Sequence, residues 1–203
     1  MKKPIATKKG IKELREANEK VVRWVHENKI PIIVLTGRTS QSAAIMFKEK
    51  WKQLYPNYKK DPLPKFYALG VTSADGRIWI DILAHIKRVI KNMPGLEKNL
   101  DKPILFYSDY IESGSKLNQI RKAFEQIGAK KILTGALFSV VEQPPAFSEK
   151  IDIIGKIHNY DPFFVSLRSP VSEYVRNKKI LKNKRQRILA MQRQLRRILR
   201  RIV

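Results

Sequence analysis

The chain contains no cysteine, which excludes a disulfide framework and any thiolate-ligated metal site. Histidine is scarce: His26, His85 and His158 are the three, far apart in sequence. That scatter argues against a histidine-rich metal site and reads the three as structural or solvent-exposed; no metal-ligating set is expected from the protein. Acidic residues are outnumbered, 18 Asp/Glu against 42 Lys/Arg, for a formal net charge of +24. No segment approaches the run of about 18 apolar residues that spans a bilayer. The first twenty residues carry charge with no apolar stretch behind it, unlike a secretory leader. A cytoplasmic location with no transmembrane segment is therefore expected.

What remains suits one α/β domain and an appendage. At 203 residues and 43% hydrophobic content, the chain is long and apolar enough to bury one full core. The charge is unevenly spread. From Arg176 onward there are 12 Lys/Arg and no Asp/Glu, so this short tail supplies half of the excess. Such a field attracts polyanions: nucleic acid, an anionic membrane or phosphorylated substrates.

Hydrophobic periodicity organises the rest. Ile11, Leu14, Val21, Val22 and Val25 recur at helical spacing and predict a helix over 11–29. The β-branched run Ile32-Ile33-Val34-Leu35 reads as a buried strand. It ends in Thr36-Gly37-Arg38-Thr39-Ser40, after which Ala43, Ala44, Phe47, Trp51 and Leu54 define one helical face. Phe66–Val71 reads as a second strand. Residues 77–92 satisfy both periods, and are read as a short return strand or loop passing into a helix that ends before Pro94. Ile104-Leu105-Phe106-Tyr107 is the clearest strand, followed by a polar loop, Ser108 to Ser115. A helix with Leu117, Ile120, Phe124 and Ile127 inward comes next, closed by Gly128. Lys131–Phe138 is a further strand, and 139–175 read as irregular and proline-rich. Alternating strands and helices imply crossovers and a mostly parallel, Rossmann-like sheet flanked by helices.

Two loops then stand at the carboxyl ends of parallel strands, each opening a helix: TGRTSQS (36–42) and SDYIESGS (108–115). Open α/β sheets bind ligands at such positions, and helix N-termini rich in Gly, Ser and Thr offer backbone N–H groups to phosphate.

The segment ILFYSDYIESGSKL (104–117) resembles the fingerprint of the type I phosphoribosyltransferases: a hydrophobic strand, two acidic residues, two apolar residues, then a short hydroxyl- and glycine-bearing stretch entering a helix. The strand, Asp109, Ile111, Ser113 and Gly114 match. Ser108 stands where the first acidic residue is usual, and Lys116 where a small hydroxyl residue is usual. FEQIGAKKILTGALF (124–138) is similar to the family's helix-to-strand passage, and IIVLTGRTSQSAAI (32–45) to its strand and pyrophosphate loop. The resemblance spans roughly 11–170. It implies a phosphoribosyltransferase-like domain over 1–170; the basic helical tail, read over 171–203 from its own charge and spacing, lies outside it.

The resemblance also implies roles. Glu112, Ser113, Gly114, Ser115 and Lys116 would cradle the 5′-phosphate of phosphoribosyl pyrophosphate, and Asp109 would accept hydrogen bonds from ribose hydroxyls. Thr36, Gly37, Arg38 and Thr39 would hold the pyrophosphate. Mg²⁺ would be bound mainly through the pyrophosphate, with few protein ligands. In relatives acting on 6-oxopurines, an acid at the position of Glu112 handles a base proton, which makes Glu112 and Asp109 the catalytic candidates. Residues 71–77 would stand in for the family's mobile catalytic loop, with Arg77 able to reach a phosphate. Phe163 and Phe164 could stack on the base. The expected ligand is phosphoribosyl pyrophosphate or a nucleoside monophosphate, and a homodimer is one open assembly state.

Three functional readings follow. The first is an enzyme that transfers phosphoribosyl to a nucleobase or related acceptor. The second is a catalytically weakened relative that binds nucleotide or nucleic acid. The third is a flavodoxin-type fold with an unrelated phosphate ligand. In the tail, apolar residues at 181, 188, 191, 195, 198 and 202 form a heptad seam. Repulsion between two acid-free helices opposes self-pairing. Docking on the body with a basic face free for RNA or DNA, binding to an anionic membrane and pairing with an acidic helix remain. Basicity in the body as well favours nucleic acid, contacted through 176–203.

Overall fold

The structure, a computed structural model, describes residues 8–36, 40–69, 79–140, 142, 144 and 150–157. The chain divides into two compact units, one of residues 16–159 and one of residues 1–15 with 160–203. Of the second unit only 8–15, the opening turns of the first helix, fall among the described residues. The boundary expected at 170, the basic tail, Phe163, Phe164, His158 and the 71–77 loop all lie outside them.

Five strands form one all-parallel sheet. They are β1 (Ile32–Leu35), β2 (Lys65–Ala68), β3 (Ile104–Ile111), β4 (Ile132–Ser139) and β5 (Ile153–Ile157), in the order β2-β1-β3-β4-β5. The helices are α1 (Lys8–Glu27), α2 (Ser40–Leu54), α3 (Trp79–Lys91), α4 (Pro94–Glu97) and α5 (Ser115–Gln126). No helix of the described residues is long and apolar enough to cross a membrane.

Side-chain alternation sorts the layers. Ile32, Val34, Ile104 and Phe106 share a core with Ile86 and Ile90 of α3, Leu96 of α4 and Ile120 and Phe124 of α5. On the opposite face, Tyr107 meets Phe47 of α2 edge-on, with ring centroids 6.3 Å apart. α1 lies on that same face. Asn18 donates from Nδ2 to the Met46 carbonyl of α2 at 3.0 Å, and Ala17 approaches Gly155 of β5 so closely that a Cβ there would sit 2.7 Å from the Ala17 carbonyl oxygen. α2 connects β1 to β2 on one face, while α5 connects β3 to β4 on the other. The helices change face where the strand order changes direction, as uniform crossover handedness requires.

Helix ends follow local chemistry. Gly128, at φ 97°, ends α5. Its amide donates to the Glu125 carbonyl at 3.1 Å and that of Ala129 to Phe124 at 3.0 Å, the paired bonds of a Schellman turn. α1 closes in the same way. Lys29 donates to His26 at 3.0 Å and Ile30 to Val25 at 3.1 Å, but the left-handed position is held by Lys29 at φ 51°.

The structure departs from the sequence reading at three places. Residues 79–91 are wholly helical, so Ile80 and Ile82 belong to α3 and not to a return strand. β3 runs on through Ile111, so Ser108 and Asp109 are strand residues, not loop. And 153–157, read as irregular, form the edge strand β5.

Candidate functional site at the carboxyl ends of β1 and β3

In the order β2-β1-β3-β4-β5 the chain moves outward in one direction from β1 and in the other from β3. The crevice above these two strands is the topological switch point, where open α/β sheets bind their ligands. Leu35 pairs with Tyr107, so Thr36 emerges beside Ser108 and Asp109, and the Thr36 amide donates to the Tyr107 carbonyl at 3.3 Å. Both Thr36 (3% exposed) and Ser40 (0%) are buried.

Asp109 follows Tyr107 by two residues along β3 and so points to the α2 side of the sheet. There it accepts a hydrogen bond at Oδ1 from the Ser40 hydroxyl, at 3.3 Å. One carboxylate oxygen is thereby fixed by the first residue of α2, leaving Asp109 half-buried with acceptor capacity to spare. Ser40 is the site residue that the sequence reading missed. It lies within the 36–42 loop, but its partner is 69 residues away, and nothing local in the sequence pairs the two.

Ser108 occupies the other face of β3 and donates its hydroxyl to the Tyr110 carbonyl at 2.9 Å. It is thus engaged with its own strand. Beneath the site lies Tyr107, fully buried, its hydroxyl without a hydrogen-bond partner among the described residues. Burial, and secondarily the negative charge of Asp109, push its phenol far above the usual range.

β3 leads into α5 through Glu112, Ser113 and Gly114. Glu112, Ser113 and Ser115 are exposed, while Gly114 is buried. Gly114 is the N-cap residue in the left-handed region, φ 71° and ψ −9°, a conformation that a Cβ disfavours. Its carbonyl accepts the first helical bond, from Asn118 at 2.9 Å. The Ser115 amide leans on the Ser113 hydroxyl at 3.4 Å. Gly114 supplies no capping side chain of its own, and a helix start of this kind turns backbone amides toward the loop, the arrangement that receives anions.

The structure thus brings Thr36, Asp109 and the 112–116 loop to adjacent strand ends. Gly37, Arg38 and Thr39 lie between the described Thr36 and Ser40 and are themselves outside the described residues.

No family model matches the chain, and no curated protein does. Solved structures do. Hypoxanthine phosphoribosyltransferase from Trypanosoma cruzi, a point mutant complexed with the product IMP, superposes with a TM-score of 0.50 at 13% identity, covering 74% of this chain and 70% of that one. The chain has the type I phosphoribosyltransferase fold. Purine phosphoribosyltransferase from Pyrococcus horikoshii aligns at a TM-score of 0.41, with 14% identity over 70% of this chain and 80% of that one. The T. cruzi enzyme in its ternary substrates complex gives 0.46, with 12% identity over 71% and 76%. Within the phosphoribosyltransferase fold, β3, Asp109, Gly114 and α5 form one strand–loop–helix unit. In that unit Asp109 is engaged by a hydroxyl from the start of α2, and Gly114 turns the backbone left-handed.

Proposed function

We propose that the chain is a phosphoribosyltransferase, transferring the 5-phosphoribosyl group from phosphoribosyl pyrophosphate to a nucleobase or related acceptor. The observation that carries this reading is the pairing of a Ser40-held Asp109 with the left-handed Gly114 opening α5, both at the β1/β3 switch point. Asp109 would accept hydrogen bonds from the ribose hydroxyls on its remaining lone pairs. The first-turn amides of α5, with Ser113 and Ser115, would take the 5′-phosphate, and Thr36 to Thr39 the pyrophosphate. Displacement at the anomeric carbon makes a bond to the acceptor nitrogen and breaks the bond to pyrophosphate oxygen. Glu112, exposed at the mouth of the loop, would take the acceptor's proton. Fixed donors around the departing pyrophosphate would supply most of the rate enhancement.

Asp109 is one carboxylate with one oxygen already engaged. That donor set suits a Mg²⁺ ion that keeps most of its waters and arrives on the pyrophosphate. The ion would neutralise the leaving group; no protein cage is required of the described residues.

A second reading rests on Ser108. Its hydroxyl is engaged with the strand backbone, so ribose would be held by one carboxylate instead of two. A catalytically weakened protein that binds nucleotide or nucleic acid fits this, with the basic residues 176–203 as an RNA- or DNA-contacting arm beyond a 1–170 domain.

Calorimetry with phosphoribosyl pyrophosphate and Mg²⁺, followed by a nucleobase screen for pyrophosphate release, separates the readings. Heat with release supports the enzyme. Heat without release on any base supports the binding protein. No heat with phosphoribosyl pyrophosphate or any nucleoside monophosphate sinks the enzyme and the nucleotide-binding form of the second reading, leaving nucleic-acid binding alone. Gly114→Val, which adds branching at a left-handed buried position, should abolish the heat.

A further inference from the structure

At the opposite, amino-terminal end of the sheet lies a cleft of about 370 Å³, bounded by the end of α1, the entry to β1 and the segment ahead of β2. This is within the span of small-ligand sites. Val25, Ile30, Pro31 and Trp51 form an apolar floor. One wall is polar, with His26 Nε2 and Asp61 Oδ1 2.7 Å apart. The His26 ring stacks on Tyr55 with centroids 3.8 Å apart and planes within 11°, and meets Trp51 edge-on at 5.6 Å. The Trp51 indole N–H is spent on the Asp61 carbonyl, at 3.2 Å.

The polar groups of the wall therefore satisfy one another. What the cleft still offers a visitor is aromatic surface and the exposed ammonium groups of Lys29 and Lys60 on its rim. That combination takes a planar ring joined to an anion. The pattern repeats just outside. Lys60 and Asp61 belong to a turn in which both amides donate to the Asn57 carbonyl, at 3.1 and 2.8 Å. The turn's tip presents Tyr58, 46% exposed, and Lys59. Two successive aromatic–lysine stations suit a polymer of ring-and-phosphate units better than one small molecule, and the charge of +24 favours a polyanion. Lys29 adds a conformational argument. It occupies the left-handed closing position of α1, φ 51°, where glycine is the low-energy residue. A lysine there is costly to the fold and places an ammonium at the cleft.

We propose that this cleft and the 57–61 turn form a binding surface for single-stranded nucleic acid. One base enters against the His26–Tyr55 stack, a neighbour stacks on Tyr58, and Lys29, Lys59 and Lys60 hold the phosphates. Recognition of this kind tolerates sequence and depends on salt. It is independent of the site above β1 and β3 and of residues 176–203.

The test uses the full-length protein with a labelled oligouridine bearing 4-thiouridine. Photo-crosslinks are mapped by peptide mass spectrometry, and affinity is read by anisotropy at several salt concentrations. Crosslinks should fall within 55–61. The double variant Lys29→Gly, Lys60→Ala should lower the salt slope by about two and weaken binding on the order of tenfold at low salt. Glycine suits position 29, so this variant should keep its urea midpoint. Tyr58→Ala, at an exposed turn tip, should lose its crosslink and leave the heat of phosphoribosyl pyrophosphate binding unchanged. Crosslinks confined to residues outside 25–62, or an unaltered affinity and slope in the double variant, would overturn the proposal. So would a mononucleotide that suppresses the 55–61 crosslink as effectively as unlabelled oligomer does, which would reassign the cleft to small anions.

Discussion

Tyr107→Phe should make this protein more stable. Tyr107 is fully buried between β1 and β4 in the middle of the sheet, and its hydroxyl has no hydrogen-bond partner among the described residues. A buried, unsatisfied hydroxyl costs roughly 1–3 kcal/mol of desolvation. Removing it leaves a void of a single oxygen, which returns a fraction of that, so a net gain of about 1 kcal/mol is expected. For a chain of this size, that is about 2–4 °C in Tm, or about 0.5 M in urea midpoint at a slope near 2 kcal/mol/M. The pH dependence gives a sharper signature. Burial and the charge of Asp109 raise the phenol well above its ordinary pKa of about 10. Below that pH the group is neutral in both the folded and the unfolded chain, and its contribution is constant. Above it the unfolded chain ionises and the folded chain does not, so the folded state binds more protons and stability falls as pH rises. The slope approaches about 1.4 kcal/mol per pH unit. Urea unfolding of both proteins at pH 7, 9, 10 and 11 measures it. The variant should lead at pH 7 and widen its lead above pH 10, over a shared residual slope to which Tyr55, also raised by burial, contributes. A variant less stable than the parent at pH 7, or a lead that does not widen, would refute the reasoning: the hydroxyl would then have a partner, or the phenol access to water.

Gly155→Ala should cost about 2–3 kcal/mol in urea unfolding, because its Cβ would meet the Leu137 carbonyl oxygen at 2.5 Å and that of Ala17 at 2.7 Å, both backbone atoms with little room to yield. Glu112→Gln should lower kcat more than it weakens ligand binding if Glu112 moves the acceptor's proton, since the loop backbone stays intact; equal turnover would leave it as an acid at a helix start. Asp109→Asn should weaken phosphoribosyl pyrophosphate binding first, read by calorimetry. Replacing the basic residues after position 175 by glutamine should flatten the salt dependence of RNA and DNA binding measured by filter retention.

Much of the fold was legible because local and global signals agreed. β1 is four consecutive apolar residues buried on both faces, and the Leu117–Phe124 stripe with Gly128 behind it specifies α5 and its end. β5 was hidden. It is five residues long, with Gly155 and Lys156 breaking its pattern, and the glycine exists for a contact with Ala17 that only tertiary structure reveals. Residues 79–91 fit two periods, and packing decided for helix, with Ile86 and Ile90 buried in the α3–α5 core. In the site, Asp109 and the 112–116 loop could be found because they are contiguous. Ser40 could not, nor could the His26–Asp61 pair, whose members are 35 residues apart.

The Ser40–Asp109 bond joins elements that are paired in space but distant along the chain. Closing that loop carries an entropic cost that local contacts avoid. The β3–α5–β4 unit is contiguous in sequence, yet it holds only half of the site; the other half comes from β1 and the start of α2. A ligand that needs both halves therefore binds no partly assembled chain, and its whole binding energy is added to global stability: about 2.7 kcal/mol at a hundredfold excess over Kd. Amides in β1 and β3 should then slow together in hydrogen exchange when ligand is added, as one cooperative unit, while those of a fraying helix end should not respond.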